Sequence, residues 1–291
     1  MDFTLKEWVN MAGKGSIAAA AVQMQAHESG MTVEEVREVM LHHLHCMQEA
    51  VKNGLDATLR SVSGLSGGQA AVLMQRLQQG KSLCGNLLGK AEVYALATAE
   101  CNACMGKIVA APTAGACGVL PAVLLPYGEK YGLKDDALIR ALYISAGFGA
   151  VIAQRASISG AEAGCQAEIG SASAMAAASL VYLHGGDNEQ MANAVAIALK
   201  NMMGLVCDPV AGLVEVPCVK RNVAGAMNAL SAAELALAGI VSRVPVDEVI
   251  DAMRAVGEAL PSSLRETGRG GIAASPSAVA FREKFFGKNQ I

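Results

Sequence analysis

Aromatic side chains are scarce in this chain of 291 residues: they make up 4% of it, with a single tryptophan. Sheets are usually rich in aromatic and β-branched residues, whereas alanine, leucine and methionine, which are plentiful here, favour helices. Hydrophobic residues make up 53% of the sequence, which argues against disorder and gives a chain of this length material for a sizeable core. The sequence therefore predicts an all-α fold, organised as one compact helical domain over residues 1–291.

A strong charge of either sign is also missing. Lys and Arg number 23 against 26 Asp and Glu, so electrostatics give no reason to expect nucleic acid or an anionic membrane as a partner. The longest uncharged run, 108–128, carries Pro112, Pro121 and Pro126 and makes a poor membrane helix. The N-terminal stretch lacks the basic and apolar regions of a secretory signal. We expect no membrane partner and a cytoplasmic location.

The usual cysteine frameworks are absent as well. Eight cysteines in a cytosolic protein of this size indicate reduced thiols or metal ligands rather than disulfides. One C-x-x-C pair, Cys101 and Cys104, lacks both the second pair that a zinc site needs and the βαβ context of a thioredoxin-like motif. We interpret these two cysteines as packing residues.

Three other cysteines each stand within two residues of a glycine or proline, where a helix would be interrupted: Cys165, Cys207 and Cys218. A backbone held out of a helix lets such residues aim their sulfurs at one point. Their spacing matches neither zinc fingers and ribbons nor the C-x2-C-x2-C run of bacterial ferredoxins. Three converging thiolates would suit a metal centre with one open position, whereas buried structural cysteines are the more frequent arrangement. Spacing alone leaves both interpretations open.

Two long motifs surround these cysteines: SGAEAGCQAEIGS at 159–171 and CDPVAGLVEVPC at 207–218. Together they closely resemble the alpha chain of the iron-sulfur-dependent L-serine dehydratases. The likeness extends to MGKIVAAPTAG at 105–115 and, more weakly, to SGLSGG at 63–68. It covers nearly the whole chain, and the two cysteine motifs are long and specific.

The resemblance implies a cofactor, a reaction and a partner. In that family the three matching cysteines hold a [4Fe-4S] cluster whose fourth iron is free to meet the substrate, which gives those roles to Cys165, Cys207 and Cys218. The implied enzyme is a lyase that converts L-serine to pyruvate and ammonia. Some related enzymes fuse this module to a smaller domain, so we expect a separate beta chain that forms a heteromer with this one.

Elimination of water from serine also needs a base, and two residues are candidates. Lys107 is a lone cation ahead of an apolar run rich in proline and glycine, so we expect it to be partly desolvated and able to act as a base. An anion-binding or snorkelling lysine is the alternative. Glu168 follows Cys165 by three residues and should lie close to the cluster.

One candidate substrate contact is the glycine-rich loop 63–68, which contains Ser66 and Gly67. Its backbone N–H groups could approach an anion such as the serine carboxylate before the next helix begins. A plain turn is the alternative, and the family usually has Thr and Asp where this chain has Ser66 and Gln69.

Further candidates flank the cluster motifs. Thr113 lies in a stretch that resembles a family motif and could line the substrate site with its hydroxyl. Arg221 and Asn222 come shortly after Cys218 and could bind the substrate carboxylate or donate to cluster sulfurs. A solvated arginine and a turn asparagine are the alternatives.

Two other functions compete with serine dehydration. One is a different cluster-dependent amino-acid lyase that acts on threonine or cysteine. The other is a catalytically silent helical scaffold for a partner subunit, which would bind no iron. A substrate panel and an iron analysis distinguish these hypotheses.

Overall fold

The computed structural model describes Thr4, Trp8 and residues 17–287. Within that part of the chain the protein is all-α, as the composition predicts, and the one isolated β-bridge joins Cys207 to Arg265. The helices are α1 (Ile17–Ser29), α2 (Val33–Gly54), α3 (Gln69–Gln78), α4 (Gly85–Ala103), α5 (Val119–Tyr131), α6 (Asp135–Arg155), α7 (Gly160–Ala163), α8 (Ser171–Leu183), α9 (Asn188–Met202), α10 (Cys218–Leu237), α11 (Val246–Ala259) and α12 (Pro276–Phe286).

Reciprocal caps fix the beginnings of two helices. At α2 the Thr32 hydroxyl accepts from the Glu35 N–H at 3.2 Å, and the Glu35 carboxylate accepts from the Thr32 N–H at 2.8 Å. The Thr-x-x-Glu sequence at 32–35 is the pattern that predicts such a capping box, and the structure contains it. A second box, between Asp187 and Gln190, begins α9. Each cap satisfies N–H groups that a helix leaves without partners.

Helix α8 is the centre of the core. All its residues from 171 to 181 are buried, and it packs against α5, α6, α9 and α10. Small side chains allow these close approaches, and buried hydroxyls bond across them: Ser179 donates to the Ala141 carbonyl at 2.6 Å and lies 2.6 Å from the Ser145 hydroxyl. The elements that carry the motifs therefore begin and end on a rigid helical support.

Helix α6 is long and apolar enough to cross a membrane by length and composition. However, 67% of its most apolar window is buried inside the domain, which is the environment of a core helix. At Gly147 the Trp8 ring occupies the space that a Cβ would need, and at Gly149 a Cβ would lie 3.0 Å from the Met175 sulfur. The glycines of α6 thus leave space into which the large side chains of Trp8 and Met175 pack.

The uncharged run 108–128 folds in two parts. Its first part is irregular, and its second part enters α5, which contains Pro121 in its first turn and Pro126 in its interior. We did not predict this helix because two prolines interrupt its pattern. Burial of residues 119–128 stabilises α5 despite the hydrogen bond that Pro126 removes, while Pro121 lies in the first turn, where no intrahelical bond is lost.

Four connections meet at one end of the helical bundle: 104–118 after α4, 156–170 after α6, 203–217 after α9, and 260–275 after α11. Three hydrogen bonds join them in series: Thr113 donates to Glu168, the Gln166 N–H donates to the Leu205 carbonyl, and the Ile272 N–H donates to Asp208. The two cysteine motifs and the motif at 105–115 lie in these connections or at the adjacent helix ends, whereas the glycine-rich loop 63–68 lies between α2 and α3.

Candidate metal and substrate site

A carboxylate and two thiols converge where these connections meet. The Glu168 Oε2 atom lies 3.9 Å from the Cys165 sulfur and 4.0 Å from the Cys207 sulfur. The three ligand atoms all lie within 4.8 Å of one another. Both cysteines are buried and Glu168 is partly buried. Such a group has the donor atoms and the spacing of a potential metal site.

The backbone before Cys165 explains how Cys165 and Glu168 face the same point. Gly164 has a φ of +76°, which favours glycine, and a Cβ there would lie 2.8 Å from the Leu205 carbonyl oxygen. The chain then makes one π-helical turn, Gln166–Gly170, before α8 begins. The Gln166 N–H donates to the Leu205 carbonyl at 2.9 Å and so joins this turn to the segment before Cys207.

Cys207 is held by the chain segment that follows α11. Its N–H donates to the Leu264 carbonyl at 2.9 Å, and its carbonyl accepts from the Glu266 N–H at 2.7 Å. The neighbouring Asp208, which is 2% exposed, accepts at 2.7 Å from the N–H of Ile272. The segment after α11 therefore supplies backbone support for the second cysteine and its neighbour.

Cys218 occupies the first position of α10 and is buried. It therefore lies on a helix terminus and not inside the preceding loop, because Pro217 ends the loop one residue earlier. Burial, together with the charges of Cys165 and Glu168, raises the pKa of Cys218 to about 12. Cys218 is close enough to feel those charges, but within residues 17–287 the group with ligand atoms under 4.8 Å apart comprises only the other two cysteines and Glu168.

Arg221 forms hydrogen bonds to both the Cys165 sulfur and Asp208. Its Nη1 donates to the Cys165 sulfur at 3.4 Å and to the Val206 carbonyl at 2.7 Å, while its Nη2 donates to Asp208 at 2.8 Å. The two side chains of this ion pair are only 14% and 3% exposed. A hydrogen bond from Cys207 lowers the pKa of Cys165, and the Arg221 charge acts in the same direction.

The Glu168 carboxylate is oriented by a hydrogen bond from Thr113 and by the space that two glycines leave beside it. Thr113 donates to Oε1 at 2.7 Å, which leaves Oε2 directed at the sulfurs. Gly115 and Gly160 make room for the carboxylate, since a Cβ on Gly160 would lie 2.5 Å from Oε2 and 3.1 Å from the Cys207 sulfur. Burial raises the pKa of Glu168, and the Thr113 hydrogen bond opposes that rise.

A family model described as "Serine dehydratase alpha chain" matches residues 13–273. The chain belongs to the serine dehydratase alpha-chain family. It is 53% identical to the probable L-serine dehydratase, alpha chain, of Bacillus subtilis over 267 residues, which is 92% of this chain and 88% of that one. It is 44% identical to the L-serine dehydratase, alpha chain, of Peptoniphilus asaccharolyticus, with 91% and 90% covered. It is 37% identical to L-serine dehydratase 2 of Escherichia coli K12, with 88% of this chain and 61% of that one covered.

Asn222 has a different environment in this family member from the one that we expected for a substrate ligand. Its amide nitrogen donates to the carbonyls of Gly115 and Cys218 at 2.8 and 3.0 Å, and its oxygen accepts from the Gly118 N–H at 2.8 Å. Asn222 is 1% exposed. Its polar atoms therefore pin the 105–118 connection to the start of α10, and the side chain is neither a turn residue nor open to a ligand.

The backbone N–H groups at the end of the glycine-rich loop bind a carboxylate of the protein itself. Glu100 of α4, which is 0% exposed, accepts from the N–H groups of Gly67 and Gln69 at 3.2 and 3.1 Å and from that of Ala70 at 3.0 Å. We expected these N–H groups to approach an anion, and the anion is a protein carboxylate. The Gly67 N–H is thus occupied, which corrects the expectation that it is open to substrate. Ser66 is buried beside it.

A second acid holds the other side of the same loop. Glu215, which precedes Cys218 by three residues, accepts from the hydroxyls of Ser61 and Ser63, each at 2.7 Å. Lys220 also donates to the Gln69 side chain at 3.0 Å. The loop containing Ser66 is therefore attached to the segment that carries Cys218.

Lys107 does not have the environment that we expected. It is exposed, and its ammonium lies 3.4 Å from the His42 Nε2 atom on α2. The expectation of partial desolvation is wrong, because Met105 has a φ of +65° and the turn that follows α4 leaves 105–107 on the surface.

Sequence reasoning missed four residues that build the site: Gly160, Asp208, Glu215 and Glu100. The first three lie inside the two cysteine motifs, and their place close to the proposed metal ligands could have identified them from the sequence. Glu100 is a lone acid in an otherwise apolar part of α4, and a buried acid of this kind needs partners that the sequence does not identify.

Proposed function

We propose that this chain is the alpha subunit of an enzyme that converts L-serine to pyruvate and ammonia. The observation that carries the proposal is the group formed by Cys165, Glu168 and Cys207, whose ligand atoms converge within 4.8 Å. The relatives named above carry the name L-serine dehydratase, and they align with this chain over the segments that build that group.

The residues of this site fit an iron-sulfur group. Cys165, Cys207 and Cys218 are buried thiols, the ligand type that such clusters take, and Arg221 donates to one of the sulfurs. We propose that these three cysteines hold a [4Fe-4S] cluster. When bound, the cluster supplies a Lewis-acidic iron that polarises the substrate hydroxyl.

Glu168 is the better candidate for the base that removes the Cα proton. Its Oε1 atom is engaged by Thr113, so the proton is accepted at Oε2, which faces the sulfurs. A general base must lie within hydrogen-bonding reach of the proton that it removes. Lys107, the other candidate, is exposed and directed at His42. Loss of water leaves an aminoacrylate, which tautomerises to an imine and hydrolyses to pyruvate and ammonia without further catalysis.

The remaining candidates have supporting roles in this proposal. Arg221 keeps its hydrogen bonds to Asp208 and to the Cys165 sulfur, and so it stabilises the thiolate charge. Asn222 positions the 105–118 connection. The Thr113 hydroxyl orients Glu168 as a donor, and its oxygen can still accept from the substrate ammonium. Ser66 is buried in the loop that Glu100 and Glu215 hold, and its backbone bonds to Ser61, so its supporting role is to keep the shape of that loop.

We also propose a separate beta chain. The relatives named as alpha chains are covered over about nine tenths of their length, whereas L-serine dehydratase 2 is covered over 61%. The part of that longer relative which this chain does not match corresponds to what a second subunit would contribute. A heteromer in the cytoplasm is the expected form.

The test is anaerobic reconstitution of this chain with iron and sulfide, addition of the candidate beta chain, and measurement of pyruvate from L-serine. L-Threonine and L-cysteine are assayed in parallel, with 2-oxobutyrate and pyruvate as their products. A clear preference for L-serine supports the proposal. A preference for threonine or cysteine would favour a different amino-acid lyase, and an iron-free, inactive complex would favour the scaffold.

A further inference from the structure

We propose that Cys165, Glu168 and Cys207 bind one thiophilic divalent cation, such as Zn²⁺, when the chain carries no cluster. This site differs from the proposed cluster site in its ligands, because it uses a carboxylate and does not use Cys218. The binding step does not depend on the serine dehydratase proposal. The consequence for cluster assembly does rest on it.

The separations of the donor atoms suit a single ion. Around a tetrahedral Zn²⁺, with zinc–sulfur and zinc–oxygen distances of about 2.3 and 2.1 Å, sulfur and oxygen ligands lie about 3.6 Å apart. The Glu168 Oε2 atom is 3.9 Å from one sulfur and 4.0 Å from the other, and all three atoms lie within 4.8 Å of one another. Small side-chain adjustments therefore bring all three atoms to one metal.

A cluster makes a different demand on the same residues. Each cysteine of an iron-sulfur cluster binds its own iron, so a cluster held by this chain needs the third thiol, Cys218, as a ligand. Within residues 17–287, Cys218 is outside the group of close ligand atoms. The close approach of Cys165, Glu168 and Cys207 thus also suits a single ion, which does not need Cys218.

Neighbouring residues hold these ligands in place. Thr113 donates to the Glu168 Oε1 atom and keeps Oε2 on the sulfur side, and Arg221 donates to the Cys165 sulfur. Outer hydrogen bonds of this kind orient metal ligands and strengthen binding. Gly160 leaves room beside Oε2 and the Cys207 sulfur, since a Cβ would crowd both atoms.

A cation bound here occupies two of the three thiols that the cluster uses. It therefore competes with cluster insertion, and zinc should slow or block reconstitution of the cluster. The active enzyme would then depend on a supply of iron and sulfide that outcompetes zinc at this position.

The experiment is a Co²⁺ titration of the full-length chain, reduced, freed of iron and kept anaerobic. Thiolate-to-cobalt charge transfer in the near ultraviolet and strong visible bands report a tetrahedral thiolate site. The variants are Cys165→Ser, Cys207→Ser, Glu168→Gln and Cys218→Ser, with Cys84→Ser as the control because Cys84 is an exposed thiol outside the site. Circular dichroism checks that each variant is folded.

The proposal predicts one Co²⁺ per chain in the wild type, in Cys84→Ser and in Cys218→Ser. Cys165→Ser and Cys207→Ser lose the charge-transfer band, and Glu168→Gln binds about tenfold more weakly or worse. Absence of stoichiometric Co²⁺ binding by the folded wild type would overturn it. So would loss of binding in Cys218→Ser together with full binding in Glu168→Gln, since that pattern describes a three-thiol site.

Competition is tested separately by adding one equivalent of Zn²⁺ before reconstitution and measuring incorporated acid-labile sulfide. A fall in sulfide in the wild type supports competition, and unchanged sulfide contradicts it. The two proposals fail in different ways. Co²⁺ binding without any cluster in reconstituted wild type would count against the proposed function alone, and a cluster without stoichiometric Co²⁺ binding would count against the single-ion site alone.

Discussion

Thr113 and Glu168, 55 positions apart in the sequence, meet through a hydrogen bond of 2.7 Å from the threonine hydroxyl to Oε1. The bond joins the connection after α4 to the π-helical turn before α8. It also decides which carboxylate oxygen faces the sulfurs, because Oε1 is occupied and Oε2 lies 3.9 and 4.0 Å from Cys165 and Cys207. The proposal that Glu168 accepts the substrate proton at Oε2 follows from this contact.

Replacement of Glu168 by glutamine should abolish most turnover without removing the cluster. The amide keeps the size of the side chain but cannot accept the Cα proton, and loss of a general base typically lowers the rate about 10²–10⁴-fold. The measurement is pyruvate formation, with iron content and visible absorbance recorded on the same sample. The contrasting variant is Lys107→Met, which should keep turnover close to wild type because Lys107 is exposed. If Lys107→Met is inactive and Glu168→Gln is active, the base has been assigned to the wrong residue.

Removal of the Thr113 hydroxyl should weaken catalysis more than it weakens folding. Thr113→Val keeps the shape of the side chain but no longer orients Glu168, and we expect kcat to fall by about tenfold. Thr113→Ser restores the donor and should recover most of the activity. A valine variant with normal kcat, or a serine variant as impaired as the valine one, would show that the hydrogen bond has no catalytic consequence.

The buried Glu100 should be a stability residue. Glu100→Gln removes a carboxylate that accepts from three backbone N–H groups, of Gly67, Gln69 and Ala70. Charge-assisted bonds are worth more than neutral ones, so the free energy of unfolding should fall by about 3 kcal/mol. Urea denaturation measures this, and Glu38→Gln, an exposed acid, is the control. Equal midpoints for the two variants would mean that the loop does not depend on Glu100.

Addition of a methyl group at Gly160 should damage the metal site. In Gly160→Ala the Cβ would lie 2.5 Å from the Glu168 Oε2 atom and 3.1 Å from the Cys207 sulfur, so both must move. We expect reduced iron and sulfide after reconstitution and little change in thermal stability. Ala161→Ser, at the exposed neighbouring position, is the matched control. Wild-type iron content in Gly160→Ala would argue that these two side chains move freely to make room.

Local patterns predicted the parts of the structure that depend on neighbouring residues. The Thr-x-x-Glu pattern at 32–35 predicts a cap that spans three positions, and the structure contains that cap. The environment of Lys107 depends on a surface turn and on His42, which lies 65 positions away, and the sequence does not reveal such a contact. The prediction of a desolvated lysine failed for this reason.

The glycine-rich loop gives the same lesson for a polar site. Its composition predicted N–H groups that meet an anion, and such groups are present. The identity of the anion depends on Glu100, 33 positions after Gly67, and on the packing of α3 against α4. Residue types therefore indicated the kind of interaction, while the fold determined its partner.

The proposed cluster is tested most directly by the iron and acid-labile sulfide content of the anaerobically reconstituted chain. Wild type is compared with Cys165→Ser, Cys207→Ser and Cys218→Ser, and Cys84→Ser is the control. We expect about four irons per chain in wild type and control, with visible absorbance typical of a [4Fe-4S] cluster, and loss of both in each of the three variants. Wild type that takes up no iron and sulfide, or variants that keep the full cluster, would contradict it.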